Sequence, residues 1–163
     1  MIRVLTMVLL AGLWFVPARA GPENPIVGIA SVIEADAIEI SGQRIRLLDM
    51  DAPETQQLCQ DTAGADYRCG QKAALLLSDF IGQRTVTCDG SDLDRYGRTL
   101  ARCTVGGEDL GLWLIEQGWA VPYRYCKCET YRDAALEAAA QDRGIWAGVF
   151  QLPWEWRKAN SPT

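Results

Sequence analysis

The chain has 163 residues, six cysteines, no histidine and a formal charge of −5, a size that suits one ordinary domain with one sizeable core and leaves too little for two. An acidic chain is a poor general binder of polyanions, so nucleic-acid binding would have to rest on a local basic patch or on bound metal. The absence of histidine and of Cys-x-x-Cys pairs disfavours a zinc centre.

The chain opens with the short basic stretch Met1-Ile2-Arg3, continues with an apolar run over residues 4–16, and reaches the small-x-small sequence Ala18-Arg19-Ala20. That order predicts a signal peptide over residues 1–20, a mature chain from Gly21, and a periplasmic or secreted protein. The apolar run is shorter than the roughly 20 residues a spanning helix needs, so no stable membrane anchor is expected after cleavage. Cleavage leaves 14 basic against 21 acidic residues. Residues 21–26 are expected to form a flexible lead-in, 27–157 a single domain that includes a C-terminal aromatic latch, and 158–163 a tail.

From residue 27 to 40 the apolar positions Val27, Ile29, Val32, Ile33, Ile38 and Ile40 alternate in part, as strands do. Ser41-Gly42 supplies a turn, and residues 44–50 return as a third strand. A helix is predicted from about residue 71 to 81, with Ala73, Leu76, Leu77 and Phe80 on one face and Gly82 as its stop. Residues 85–88 read as a strand, 89–97 as a polar loop and 99–105 as the returning strand. Asp109 can cap a second helix reaching Gln117, and Thr130-x-x-Asp133 resembles a capping box for a third, alanine-rich helix that ends at Gly144. Five strands with one helix inside the series and two after it fit the α+β class, a small closed or nearly closed barrel with three helices packed on it. The aromatic stretch 150–156 reads as a latch over an apolar patch rather than a base-stacking platform, since nothing basic interleaves it before Arg157.

Six cysteines behind an export signal read as disulfides. Cys88 and Cys103 flank the predicted hairpin and Cys59 and Cys69 close a short loop, which leaves Cys126 and Cys128 by elimination; other pairings are formally possible.

Chemistry concentrates in Arg46-Leu47-Leu48-Asp49-Met50-Asp51-Ala52-Pro53-Glu54, a strand that opens with a cation and closes with carboxylates at a proline-stopped turn. Folding the meander in its simplest way brings Asp36 from the first hairpin to Asp51 and Glu54. Such a histidine-free set of oxygens suits a hard cation, calcium or magnesium, rather than zinc or copper. Each carboxylate taken singly reads as a solvated surface charge, and Arg98 taken singly as an ordinary hairpin arginine. Arg46 and Asp51 are five residues apart, so a regular strand would point them to opposite sides. Sharing a site therefore demands a bulge or a bend before Pro53.

These residues carry a resemblance. Val32-Ile33-Glu34-Ala35-Asp36-Ala37, Ile45-Arg46-Leu47 with Asp51-Ala52-Pro53-Glu54, Gly70-Gln71-Lys72-Ala73, Asp94-Arg95-Tyr96-Gly97-Arg98 and Gly144-Ile145-Trp146 resemble, in this order, the staphylococcal nuclease (thermonuclease) family. The resemblance implies a five-stranded OB-fold barrel with three helices, and a calcium-dependent phosphodiesterase that cuts DNA and RNA at the P–O5′ bond to leave 3′-phosphates. It implies one Ca2+ held by Asp36, Asp51 and the Ala52 carbonyl, a water held or deprotonated by Glu54, and a phosphate clamped by Arg46 and Arg98. It further implies substrate contacts from Arg95, Tyr123 and Tyr125, with core packing as the rival role for the tyrosines; separately, a monomer is expected. Where the family reads Asp-Gly-Asp-Thr this chain reads Glu34-Ala35-Asp36-Ala37, and Asp49 stands where small or apolar residues are usual. Both departures bear on metal affinity and rate. The alternative expectation is a catalytically weakened or inactive module that keeps the barrel to bind nucleic acid or an envelope protein.

Overall fold

A computed structural model describes residues 25–161; the expected signal peptide lies outside these residues. Strand β1 (Ile26–Glu34) turns through Ala35-Asp36 into β2 (Ala37–Ile40), and β2 pairs in turn with β3 (Gln43–Leu47), all antiparallel. Its alternation is two-sided: Val27, Ile29 and Ile33 face solvent. A two-residue β4 (Met50–Asp51) follows after a sharp turn, then a small hairpin of β5 (Leu58–Gln60) and β6 (Asp66–Arg68). Helix α1 (Cys69–Ile81) starts directly behind it, and Gly82 ends it at a φ of 56°, in the left-handed region that glycine tolerates.

Strand β7 (Thr85–Leu93) pairs with β1 on one side and with β8 (Thr99–Val105) on the other. A parallel pairing of β3 with β8 closes the ring, so the five long strands form a barrel in the order β1, β2, β3, β8, β7. The expected polar loop at 89–97 is mostly strand: β7 runs on through Leu93 by absorbing a register shift between Asp89 and Asp92. Gly90 sits at that shift, where a Cβ would lie 2.1 Å from the Leu100 carbonyl oxygen, so no larger residue fits. The interior is filled by Ile38, Ile40, Ile45, Leu77, Val86 and Leu114, each with no exposed surface.

After β9 (Glu108–Asp109) comes α2 (Leu110–Glu116), capped as expected by Asp109, whose carboxylate accepts from the Leu112 amide at 2.9 Å. Strand β10 (Val121–Pro122) pairs with β4. Helix α3 (Glu129–Ala140) departs from the predicted capping box: it begins one residue before Thr130, has no side-chain cap, and ends four residues before Gly144, which opens a 3-10 turn at Gly144–Ala147. A fourth helix, α4 (Pro153–Asn160), corrects the expectation of three. Pro153 occupies its first turn, where proline's fixed φ and missing N–H cost nothing. Phe150, Leu152 and Trp154 pack on the small cluster of Cys59, Cys69, Val121 and Ile145, so the aromatic stretch does cover an apolar patch.

The cysteines are joined as Cys59–Cys69, Cys88–Cys103 and Cys126–Cys128. Cys88 and Cys103 face each other in register across β7 and β8, and 15 residues separate them in sequence. Loop-closure entropy for that span is worth about 3 kcal/mol. The double variant Cys88→Ser/Cys103→Ser should therefore lose about 3 kcal/mol in urea unfolding, while an undiminished midpoint would show that β-pairing alone holds this edge.

Candidate functional site

The turn between β3 and β4 meets the geometric demand made by Arg46 and Asp51. Asp49 takes a φ of 64°, in the left-handed region that aspartate enters more readily than most residues. The chain thus reverses its facing at Asp49, supplying the bend expected before Pro53, and the Arg46 guanidinium meets Asp51 at 3.1 Å. Asp49 is thereby accounted for. Its backbone makes the turn and accepts from the Tyr123 amide at 2.8 Å, while its carboxylate pairs with Arg102 at 2.5 Å.

Arg46 also reaches the first hairpin, pairing through Nη1 with Asp36 Oδ2 at 2.5 Å. One guanidinium thus spans Asp36 and Asp51, carboxylates 15 positions apart in sequence. The hairpin itself is pinned to β3, since the Leu47 amide donates to the Asp36 carbonyl at 2.9 Å. Asp51 has no exposed surface and Asp36 only 5 %. Burial, partly offset by Arg46 and reinforced by the neighbouring carboxylates, pushes the Asp36 carboxyl up to about 6.

Glu54 stands at the mouth of this cluster, and its position depends on two contacts at long range. Gly70, in the first turn of α1, would place a Cβ 2.1 Å from the Glu54 carbonyl oxygen, so the helix start lies directly against this loop. Gln57, wholly buried, accepts from the Glu54 amide at 3.3 Å and donates to the Gln151 carbonyl at 2.6 Å, tying the loop to the segment that leads into α4. Sequence reasoning missed Gln57, and it missed Arg157 on α4. Arg157 donates from Nη1 to Asp51 Oδ1 at 2.9 Å and to Glu54 Oε1 at 2.7 Å, and from Nη2 to Asp51 Oδ2 at 2.6 Å. The hydrogen bonds to Asp51 and Glu54 outweigh its partial burial and hold its pKa above the usual arginine range.

Above these groups lies a cleft of about 710 Å³ lined by Arg46, Glu54, Arg98, Tyr123, Tyr125 and Arg157 among others. Closure of the barrel sets Thr99 beside Ile45 and Leu100 beside Arg46, which lays the start of β8 along β3 and brings Arg98 to this cleft. Arg98 is oriented by Asp94, which accepts from its Nε at 2.7 Å and from its backbone amide at 2.9 Å. Burial acts to raise the Asp94 carboxyl, but the hydrogen bonds from Arg98 and the Tyr96 amide hold it below the ordinary aspartate value. Arg95 lies over the Tyr96 ring at 4.8 Å on the cleft's rim. Tyr123 and Tyr125 meet edge to face at 5.6 Å and are 39 % and 68 % exposed, which sets aside core packing as their role. All the predicted side chains therefore line the cleft or lie in the buried carboxylate cluster, and Ala52 follows Asp51 with only 3 % exposure.

The donor set suits a hard cation. Two buried aspartates, with Ala52 and its main-chain carbonyl directly after Asp51 in the chain, offer oxygen alone. A second grouping, Asp49 with Cys126 and Cys128, brings ligand atoms within 4.8 Å of one another, but its two sulfurs are joined in a disulfide and offer no thiolate. Four arginines face Glu34, Asp49, Glu54 and Asp94 around the cleft, with Asp36 and Asp51 beneath. Asp49 is paired with Arg102 and Asp94 with Arg98, which leaves Asp36, Asp51 and Glu54 as the carboxylates nearest one another at the cleft floor, a set whose charge a cation would offset.

The raised Asp36 carboxyl has a measurable sign. Because its folded value of about 6 exceeds the ordinary 3.8, the folded chain binds more protons in that interval, and this group's contribution to stability declines as pH rises from 4 to 6. Without divalent ions, Asp36→Asn should gain stability relative to the unmodified chain across that window and level off above it. A difference independent of pH in urea unfolding would contradict this.

The profile described as "Staphylococcal nuclease homologue" matches residues 44–148. The succinoglycan biosynthesis protein ExoI of Rhizobium meliloti (strain 1021) is 43 % identical over 129 residues, covering 78 % of this chain and 68 % of that protein. The micrococcal nuclease of Shigella flexneri is 30 % identical over 164 residues, with 89 % and 86 % covered. An uncharacterized endonuclease of Haemophilus influenzae is 32 % identical over 117 residues, with 71 % and 60 % covered. The match across 44–148 joins the arginine and carboxylates of the β3–β4 turn to the Asp94–Arg98 loop in one barrel, and the chain belongs to the staphylococcal nuclease family.

Proposed function

We propose that this chain is an exported, calcium-dependent nuclease that hydrolyses phosphodiester bonds of DNA and RNA, cutting P–O5′ to leave 3′-phosphates. As a member of the family it is a phosphodiesterase of the endonuclease class acting on nucleic acid. The observation that carries the finer reading is the cluster in which Arg46 joins buried Asp36 to buried Asp51, with Glu54 beside them at the floor of an arginine- and tyrosine-lined cleft.

Asp36, Asp51 and the Ala52 carbonyl are the groups to hold the ion, which when bound supplies positive charge to a phosphate oxygen. Glu54 orients a water toward phosphorus and accepts a proton as the new O–P bond forms. The P–O5′ bond breaks on the opposite side, and the departing oxygen takes up a proton from solvent water in the open cleft. Arg98, held by Asp94 through Nε, presents its Nη groups to the equatorial oxygens, where charge builds in the transition state, and Arg46, whose two Nη groups bridge Asp36 and Asp51 here, joins it once a bound cation takes over those carboxylates. Tyr123 and Tyr125 offer exposed rings to the nucleoside and Arg95 a cation to a flanking phosphate. In the rival reading, the same cleft binds nucleic acid or an envelope protein without turnover.

Purified protein should cleave single-stranded DNA and RNA with calcium and stop on chelation. Glu54→Gln and Arg98→Ala should each lower kcat by about 100-fold or more. Intact substrate at high enzyme concentration across several divalent ions would contradict catalysis, and calorimetric oligonucleotide binding in the same samples would instead support the binding module.

A further inference from the structure

Among the arginines that line the cleft, Arg157 is the one supplied by neither β3 nor the Asp94–Arg98 loop. It comes from the C-terminal helix, 106 positions from Asp51, and makes three hydrogen bonds to the two carboxylates nearest the proposed chemistry. A carboxylate oxygen has two lone pairs, and Asp51 Oδ1 directs its pair of them to Arg46 Nη2 and Arg157 Nη1, while Oδ2 accepts from Arg157 Nη2. One lone pair of Asp51 is then left for any further ligand. Asp51 has no exposed surface, so water cannot substitute for a lost partner without rearrangement.

We propose that Arg157 is an in-chain cation of this site: it neutralises Asp51 and Glu54 until a divalent cation takes the Asp51 oxygens and leaves Glu54 free for water, and the two cations exchange. This rests on the cation reading given above. The charge balance favours exchange over co-occupancy. Asp36, Asp51 and Glu54 are neutralised by Arg46 together with a divalent ion, whereas keeping Arg157 would leave a surplus positive charge in a buried setting. The fold also permits it. Helix α4 has eight residues, only Pro153 of them is fully buried, and the Arg157 side chain is 36 % exposed, so releasing its guanidinium opens no core. Arg157 thereby keeps the carboxylates from repelling one another and sets the cation concentration at which the site fills. It acts through Asp51 and Glu54 and is a positioning residue.

The test compares the unmodified chain with Arg157→Gln and Arg157→Lys, all stripped of divalent ions. Calcium titration by calorimetry should show affinity about ten-fold tighter in Arg157→Gln, with Arg157→Lys between the two. In chelator, Arg157→Gln should unfold at lower urea than the unmodified chain and should gain more from added calcium. Trypsin supplies a readout on the unmodified chain. Cleavage after Arg157, followed by mass spectrometry, should speed up with calcium as the guanidinium is released. Equal or weaker calcium affinity in Arg157→Gln, or calcium protection of the Arg157 cleavage point, would overturn the exchange while leaving the calcium reading intact. Calcium uptake by none of the three chains would overturn both.

Discussion

The site is built around one buried carboxylate. Asp51, with no surface in water, sits between the guanidiniums of Arg46 and Arg157. Removing one partner of such a buried pair while leaving the other typically costs roughly 3–5 kcal/mol, because the remaining charge has neither water nor counter-charge. The β3–β4 turn, the first hairpin and the last helix must therefore all be in place before Asp51 is satisfied. Asp49 in the left-handed region turns Asp51 toward Arg46, and Asp36 adds a second carboxylate to the same guanidinium.

The barrel provides the rigidity this arrangement needs. The parallel pairing of β3 with β8 is the step that closes it, and it brings Arg98 to the cleft that Arg46 already lines. Beneath the cleft the packing is tight: α1 approaches the Glu54 loop at Gly70, and Gln57 links that loop to the chain entering α4. The position of Glu54 is consequently set from two directions, by the α1 backbone at Gly70 and by the Gln57 side chain. Catalytic geometry of this kind depends on such support more than on the reacting groups themselves.

What was legible in the sequence is what local spacing encodes. Arg46, Asp51 and Glu54 lie within nine residues, and the proline that stops the strand marks where the chain leaves the ladder. Arg98 follows Gly97, a turn residue plain to read, while the Ala35-Asp36 turn carries no glycine or proline to mark it. The extension of β7 was not legible, since Asp89 to Asp92 looks like loop composition and is carried in the strand by a register shift at Gly90. Helix α4 did leave a signal, because Pro153 is suited to a first helical turn, but the aromatic run around it suggested only packing. Arg157 and Gln57 left none: their contacts span 106 and 94 positions, and an arginine near a chain end reads as solvated until the fold places it.

The claim at the centre is that Asp36 and Asp51 together form the floor of a hard-cation site rather than a structural ion-pair cluster. A crystal structure of the protein grown with calcium, using anomalous scattering to place the ion, tests it most directly. The account predicts one ion with Asp36, Asp51 and the Ala52 carbonyl at about 2.3–2.6 Å and water in the rest of its shell. An ion bound elsewhere, with Arg46 still bridging two unliganded aspartates at saturating calcium, would contradict it.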